Sequence, residues 1–306
     1  MKSIAFIGHT HFSSRLEQAF RKRGHDTITL DYNDWGHQFI FSMAVVKKYE
    51  VLHFISGTGF RKFFYALILR FVFKKTLLVH FVGSDVTRIQ SRKLIDKLNW
   101  MGALKLAHRV FCVAPWLTEE LKSCGKSETF PLFFRNFPTK IFKMPTTFTI
   151  LSYLPESRPV FYGRDIIEKL IIANPKIHFI ILGGSDLEHY SNVETHPIDY
   201  ETDMNQFYSR TSLLLRLTKH DGLSNMVMES LALNRQVVWT YEFPYVQKTK
   251  GNIMQVQNII SSFYHHNKPN SSSEWMRSKF NYSVFLNTLE NLYENPTYSI
   301  PAEDYS

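Results

Sequence analysis

Lys219-His220-Asp221-Gly222-Leu223-Ser224-Asn225-Met226-Val227-Met228-Glu229-Ser230 joins an apolar run at residues 213–217 to a second one at 237–240. Ser224 or Asn225 suits the N-cap of a helix running to about Leu233. Asn234 stands where that helix must stop, because asparagine is the usual substitute for glycine in the left-handed conformation. Gly222 permits a tight turn and close backbone approach. The stretch therefore reads as strand, turn, helix and strand, the unit from which a parallel sheet covered by helices is built.

The same alternation runs through most of the chain. Apolar runs at 4–7, 27–30, 51–55, 77–81 and 110–113 read as one series of strands. A second series comprises 160–162, 178–182, 213–217 and 237–240, with helices over 165–173, 204–209 and 226–233. No repeat in residue identity accompanies this duplication of architecture. A length of 306 residues with 44% hydrophobic content supports two α/β domains, each with its own core. Prolines and threonines over 137–147 suit a linker. The expected domains are residues 1–143 and 144–306, with a last helix at about 274–295 packing back on the first. The segment 63–73 is apolar nearly all round and too short to span a bilayer, so a buried covering helix is expected there, with membrane insertion as the alternative.

Charge divides unevenly between these domains. Residues 1–143 carry 23 Lys and Arg against 10 Asp and Glu, and the remainder 13 against 17. A basic half beside a mildly acidic one points to an anionic partner for the first domain, or to an ordinary solvated basic surface. The N-terminal apolar run is too short for a signal peptide and reads as a strand, which places the chain in the cytoplasm. Cys112 and Cys124 lack the spacing of a disulfide framework or a structural zinc site.

The helix start after Gly222 presents unpaired N–H groups and a positive dipole end, for which a diphosphate is a natural guest. Asp221 precedes that start and Glu229 lies inside the helix. Two carboxylates separated by a phosphate-binding turn can accept from the hydroxyls of a sugar at one end and a ribose at the other. The bland alternatives are a capping Asp221 and a Glu229 on a solvated face. Arg216 and Lys219, at the preceding strand end, are placed to neutralise phosphates. At the first strand's turn, Gly8, His9 and Ser13 either line an acceptor phosphate or shape the loop.

Asp221, Gly222, the loop Leu223-Ser224-Asn225 and Glu229, followed by Gln236-Val237-Val238-Trp239-Thr240, resemble the signature of retaining glycosyltransferases of family four, the group 1 type. Val82-Gly83-Ser84-Asp85-Val86, Trp116-Leu117-Thr118-Glu119-Glu120-Leu121, Tyr162-Gly163-Arg164 and Ile180-Ile181-Leu182-Gly183-Gly184 are similar to further segments of that family. The resemblance implies the GT-B fold, two Rossmann-like doubly wound domains facing each other across a cleft. It further implies a nucleoside diphosphate sugar as donor substrate, no separate cofactor, and a hydroxyl on a glycan or lipid-linked acceptor. By the same resemblance Glu229 holds the donor ribose and Asp221 the transferred sugar. The backbone at Gly222, Leu223 and Ser224, with Asn225 beside it, faces the diphosphate, and Arg216, Lys219 and Arg164 are the positive partners.

Gly83, Ser84 and Asp85 fall on the acceptor side. Val82 stands where many relatives carry a histidine, which leaves Asp85 as the polar group facing the acceptor, or as the residue that closes an Asx turn. Asp221 stands where a glutamate is more usual. No Asp-x-Asp triplet occurs in the chain, so no metal site is expected. No Gly-x-Gly-x-x-Gly fingerprint follows the first strand and no Walker loop occurs, which disfavours a dehydrogenase and a nucleotide hydrolase. The expected activity is metal-independent sugar transfer in bacterial cell-surface polysaccharide or glycolipid assembly, with peripheral contact to the inner face of the plasma membrane. A non-catalytic glycosyltransferase-like binding subunit is the alternative. No recognition helix or stacking motif for nucleic acid is present.

Overall fold

The computed structural model describes residues 1–31, 46–56, 63–139, 141–199 and 202–301. The chain forms two compact units, one of Met1–Arg135 together with the segment from Asn281 onward, the other of Asn136–Phe280.

The first unit holds six parallel strands in the order β2-β1-β3-β4-β5-β6. These are β1 (Ser3–Gly8), β2 (Asp26–Leu30), β3 (Val51–Ile55), β4 (Thr76–Phe81), β5 (Arg109–Cys112) and the short β6 (Glu128–Thr129). All five residues of β3 are buried, as expected for a strand covered on both faces. Strand order reverses between β1 and β3, where Gly8 pairs with Ile55. The carboxyl ends at such a reversal form the natural ligand crevice of a doubly wound sheet.

The second unit repeats the plan with β7 (Thr149–Tyr153), β8 (His178–Leu182), β9 (Val193–His196), β10 (Leu213–Arg216), β11 (Gln236–Trp239) and β12 (Gln247–Lys248). Their order, β12-β11-β10-β7-β8-β9, is that of the Rossmann dinucleotide fold, with its reversal between β7 and β10.

Three sequence expectations change. Residues 160–162 are not a strand: Pro159–Tyr162 is a 3₁₀ turn, because Pro159 fixes the entry and Gly163 leaves it at φ 83°. The strand that opens the second unit is Thr149–Tyr153, which pairs with both β8 and β10. The last helix is two helices, Ser273–Lys279 and Tyr282–Glu294. Asn281 breaks the run by accepting from the N–H groups of Ser283 and Val284, the geometry of an N-cap. The compact units divide there and at residue 135 rather than 143. Arg235 of the second unit holds the carbonyls of Phe142 and Lys143, which ties that part of the linker to it.

Residues 63–73 form a short α-helix, Phe63–Leu67, followed by a π-helical turn, Ile68–Val72. Ala66 and Leu69 are buried, but Phe64, Phe71 and Val72 are exposed, so this element is not the fully buried helix expected from its composition. Its flanking Arg61 and Lys62 lie outside the described residues. Among the described residues no helix is long and apolar enough to cross a membrane.

Beneath the Tyr282–Glu294 helix lies a buried pair of imidazoles. His53 Nδ1 and the Tyr293 hydroxyl are 2.8 Å apart, and His80 Nε2 lies 2.6 Å from the Phe130 carbonyl oxygen. His53 Nε2 and His80 Nδ1 have no hydrogen-bond partner. Burial pushes the pKa of His80 down to about 3, against the opposing pull of the Phe130 carbonyl, and holds His53 well below its ordinary value. Both rings are therefore neutral in the fold and bind protons only after unfolding. Their contribution to stability is complete above pH 6.5 and is lost as pH falls. His80 alone removes about 1.4 kcal/mol per pH unit below that point, and His53 acts in the same direction. Denaturant titrations at pH 7 and pH 5 should show the loss, and His80→Gln should reduce the pH slope. An unchanged slope in that variant would contradict the assignment.

Candidate functional site

The stretch after β10 occupies the carboxyl end of the strand that borders the reversal in the second unit. Residues 222–224 are buried, and the helix Asn225–Ala232 begins directly behind them. Ser224 occupies the N-cap position in extended conformation, but its side chain makes no capping hydrogen bond. Two other helices of the chain are capped by their own asparagines, Asn252 and Asn281. The helix behind Gly222 thus keeps its first N–H groups for another acceptor, and its dipole favours an anionic one. Its far end matches the sequence reading: Asn234 adopts φ 54° and closes the helix through its N–H to the Leu231 carbonyl. Gly222 is buried in that loop. It is not among the positive-φ residues, so its turn is made without a left-handed backbone.

Glu229 lies one turn inside the helix, on the same face as Asn225. The hydroxyl of the fully buried Tyr208 donates to Glu229 Oε2 at 2.7 Å. Tyr208 is held in turn, its carbonyl accepting from Arg235 Nε at 3.0 Å. Arg235 is itself fully buried, and its remaining donors go to Met144 Sδ and the carbonyls of Phe142 and Lys143. Desolvation pushes its pKa down to about 10, which still leaves it charged at neutral pH. Glu229 is therefore fixed in orientation from behind, not a mobile carboxylate on a solvated face.

Asp221 and Arg216, expected to serve sugar and phosphate separately, are bonded to each other. Arg216 Nε donates to Asp221 Oδ2, which also accepts from the Thr218 hydroxyl at 3.1 Å. The Arg216 guanidinium lies 5.8 Å from the Tyr162 ring centroid. Asp221 is further tied by its backbone N–H to the Tyr241 hydroxyl. Lys219 is exposed, while its backbone N–H donates to the Phe161 carbonyl at 2.9 Å. That contact clamps the turn before Gly163 onto the end of β10. A Cβ on Gly163 would sit 2.6 Å from Leu217 Cβ and 2.8 Å from its carbonyl oxygen, so no other residue fits between them. Arg164, expected as a phosphate partner, is paired with Asp186 and lies 3.8 Å from Glu168, which directs its charge away from that role.

In the first unit, the turns after β1 and β4 carry the expected acceptor residues. His9 is exposed and stacks on Phe12 at 4.5 Å between centroids, and Phe12 stacks on Phe134 at 5.2 Å. Gly8 lies at the β1 carboxyl end beside β3. Ser13 is fully buried with an unpartnered hydroxyl, so it shapes the helix packing and does not reach an acceptor in this arrangement. Asp85 is also buried, and its carboxylate accepts from the backbone N–H of Val82 and Gly83, the latter at 2.8 Å. It holds the turn at Gly83 and Ser84, the turn-closing alternative of the sequence reading. Tyr208, Arg235, Thr218 and Tyr241 were not singled out by the sequence. The one signal available for them was an arginine between a helix stop and an apolar strand, a position where a charged side chain must find buried acceptors.

No protein-family model matches the chain, and no curated protein matches it in sequence. Solved structures do. The chain is similar to a sucrose-phosphate synthase from Thermosynechococcus elongatus, at 15% identity and TM-score 0.67, over 97% of this chain and 99% of that one. It is similar to HepE of Anabaena, solved in complex with UDP and glucose, at 11% identity and TM-score 0.70, over 96% and 100%. The lipopolysaccharide outer core galactosyltransferase WaaB matches at 11% identity and TM-score 0.62, over 96% and 99%. The chain has the GT-B fold.

Proposed function

We propose that the chain is a glycosyltransferase that moves a hexose-type sugar from a nucleoside diphosphate sugar to an acceptor hydroxyl, with retention at the anomeric centre. The observation that carries this reading is the uncapped helix start at Asn225, with Glu229 fixed one turn behind it by Tyr208. A diphosphate on the free amides of Leu223, Ser224 and Asn225 places a ribose within reach of Glu229. The donor complex of the similar Anabaena structure makes UDP the first nucleotide to test.

The Arg216–Asp221 pair gives the site a partner exchange. An incoming diphosphate competes with Asp221 for the Arg216 guanidinium, and the released carboxylate is then free to accept from hydroxyls of the sugar. Lys219 adds a flexible cation. In the transfer, the bond between the anomeric carbon and the phosphate oxygen breaks, and the acceptor oxygen bonds to that carbon. The acceptor proton passes to the departing diphosphate. Negative charge accumulating on the leaving group is met by the helix dipole, backbone N–H groups and Arg216, so this charge balance requires no metal. Gly8, His9, Gly83 and Ser84 line the acceptor side, with Asp85 positioning the last two. The basic first unit suits a phosphate-bearing, lipid-linked acceptor or a glycan at an anionic membrane, as in assembly of a cell-surface polysaccharide or glycolipid.

A thermal-shift screen of UDP-, GDP- and CDP-sugars, followed by detection of released nucleotide, tests the reading. Stabilisation by one nucleotide family and turnover with one of its sugars is expected. No response to any donor would overturn it. Stabilisation without release of nucleotide in the presence of glycan and lipid acceptors would favour the second reading, a non-catalytic binding subunit. Val82 at the position of the usual histidine and the engagement of Asp85 with backbone amides are the observations on its side.

A further inference from the structure

The π-turn element and its neighbour expose an apolar surface that none of the described residues covers. The helix Leu94–Leu106 packs against the helix Phe63–Leu67 in the first unit, and Arg70 of the π-helical turn donates to its Leu106 carbonyl at 2.6 Å. It buries Trp100, Ala103 and Leu104. At about 100° per residue, Leu94, Ile95 and Leu98 fall on the opposite side. They are 71%, 75% and 57% exposed, and Phe64, Phe71 and Val72 of the neighbouring element are 61–68% exposed. A helix apolar on both faces belongs where both faces are covered. Among the described residues, six large apolar side chains on two adjoining elements are left exposed.

Charge decides what covers them. Residues 63–106 carry eight Lys and Arg against two Asp and Glu, and one of those two, Asp85, is buried in its turn. Arg92 and Lys93 flank the apolar residues at the helix start and are exposed, and Lys97 lies one turn further on. A second copy meeting this surface through its own identical face would bring the same positive charge to the contact and be repelled. A nucleic acid would match the charge but offers nothing to bury leucine and isoleucine. An anionic bilayer matches both, because its headgroups attract the basic side chains while its acyl boundary takes the apolar ones.

We infer that this face of the first unit, with Leu94, Ile95, Leu98, Phe64, Phe71 and Val72 at its centre, docks on an anionic lipid surface. The inference rests on the membrane-surface partner of the proposed reading and is independent of its sugar chemistry. It deepens that reading by stating where the acceptor-carrying membrane meets the protein. The chain binds as a peripheral protein, with apolar insertion and basic attraction each required.

Co-sedimentation of the full chain with vesicles tests it, using phosphatidylcholine alone and phosphatidylcholine mixed with phosphatidylglycerol, at about 0.1 M and about 0.5 M salt. Binding to the anionic vesicles at low salt is expected, with loss at high salt and on neutral vesicles. Replacing Arg92, Lys93 and Lys97 together by alanine should weaken binding roughly 150-fold, at about fivefold per basic residue. Leu94→Ser, Ile95→Ser and Leu98→Ser combined should weaken it by at least about 30-fold. Phe64→Ser with Phe71→Ser is an independent check on the neighbouring element. These side chains are exposed, so thermal melts should match the parent protein.

Absence of binding to anionic vesicles, or binding untouched by both the basic and the apolar variants, overturns the inference. So does a result in which the apolar variant abolishes self-association, or duplex DNA binding, and leaves vesicle binding intact. Donor-induced thermal shifts on the same variants separate the two readings. Vesicle binding without any donor response removes the sugar reading alone, and donor response without vesicle binding removes the docking alone.

Discussion

Glu229→Ala should lower affinity for the preferred nucleoside diphosphate by about 30- to 300-fold, the loss of charge-assisted hydrogen bonds worth about 2–3.5 kcal/mol. The substitution leaves the helix start untouched, because Glu229 lies in the second turn, and its removal strands the Tyr208 hydroxyl. The N–H groups proposed to hold the diphosphate remain, so weakened binding, not abolished binding, is the expected result by titration calorimetry. Tyr208→Phe provides the graded control. It keeps the carboxylate but removes the 2.7 Å bond that orients it, and should cost less than the alanine variant. Unchanged affinity in Glu229→Ala would place the ribose elsewhere.

Arg235→Ala should destabilise the second unit by about 4 kcal/mol, lowering its melting temperature by roughly 10 °C. The guanidinium is fully buried, and its oxygen partners are the backbone carbonyls of Tyr208, Phe142 and Lys143. Truncation leaves those acceptors without a donor in a site closed to solvent, at about 1–3 kcal/mol each, and adds a cavity. Arg235→Lys retains the charge with fewer, less directed donors and should recover part of the loss. The loss should also appear in nucleotide affinity under the proposed function, because the same arginine anchors Tyr208 behind Glu229. A melting temperature within a degree of the parent would show that the carbonyls find other partners.

The features that the sequence displayed correctly are those decided within a few residues. Asn234 takes the left-handed conformation at the helix stop, and the helix behind Gly222 begins where Ser224 and Asn225 indicated. The strands 51–55 and 178–182 are apolar apart from His53 and His178 because both faces of a parallel strand are covered. Misreadings fell where local signals conflict with packing. Thr149–Tyr153 was obscured by the proline- and threonine-rich segment before it, while 160–162 has strand-like residues but sits between a proline and a left-handed glycine. The break at Asn281 was hidden because apolar spacing continues across it from Trp275 to Leu292.

Local sequence signals suffice for the doubly wound α/β class, the duplication of the unit and the placement of a helix start between two acidic residues. These follow from periodicity, caps and turn chemistry, all of which act over one or two turns of chain. Tertiary structure alone decided how the polar groups are spent. Asp221 and Arg216 neutralise each other, Asp85 closes its own turn, and Arg164 turns to Asp186. Glu229 is aimed by Tyr208, which lies 21 residues away, and Tyr208 by Arg235. A buried polar group takes whichever partner folding brings within about 3 Å, and sequence spacing carries no record of that choice.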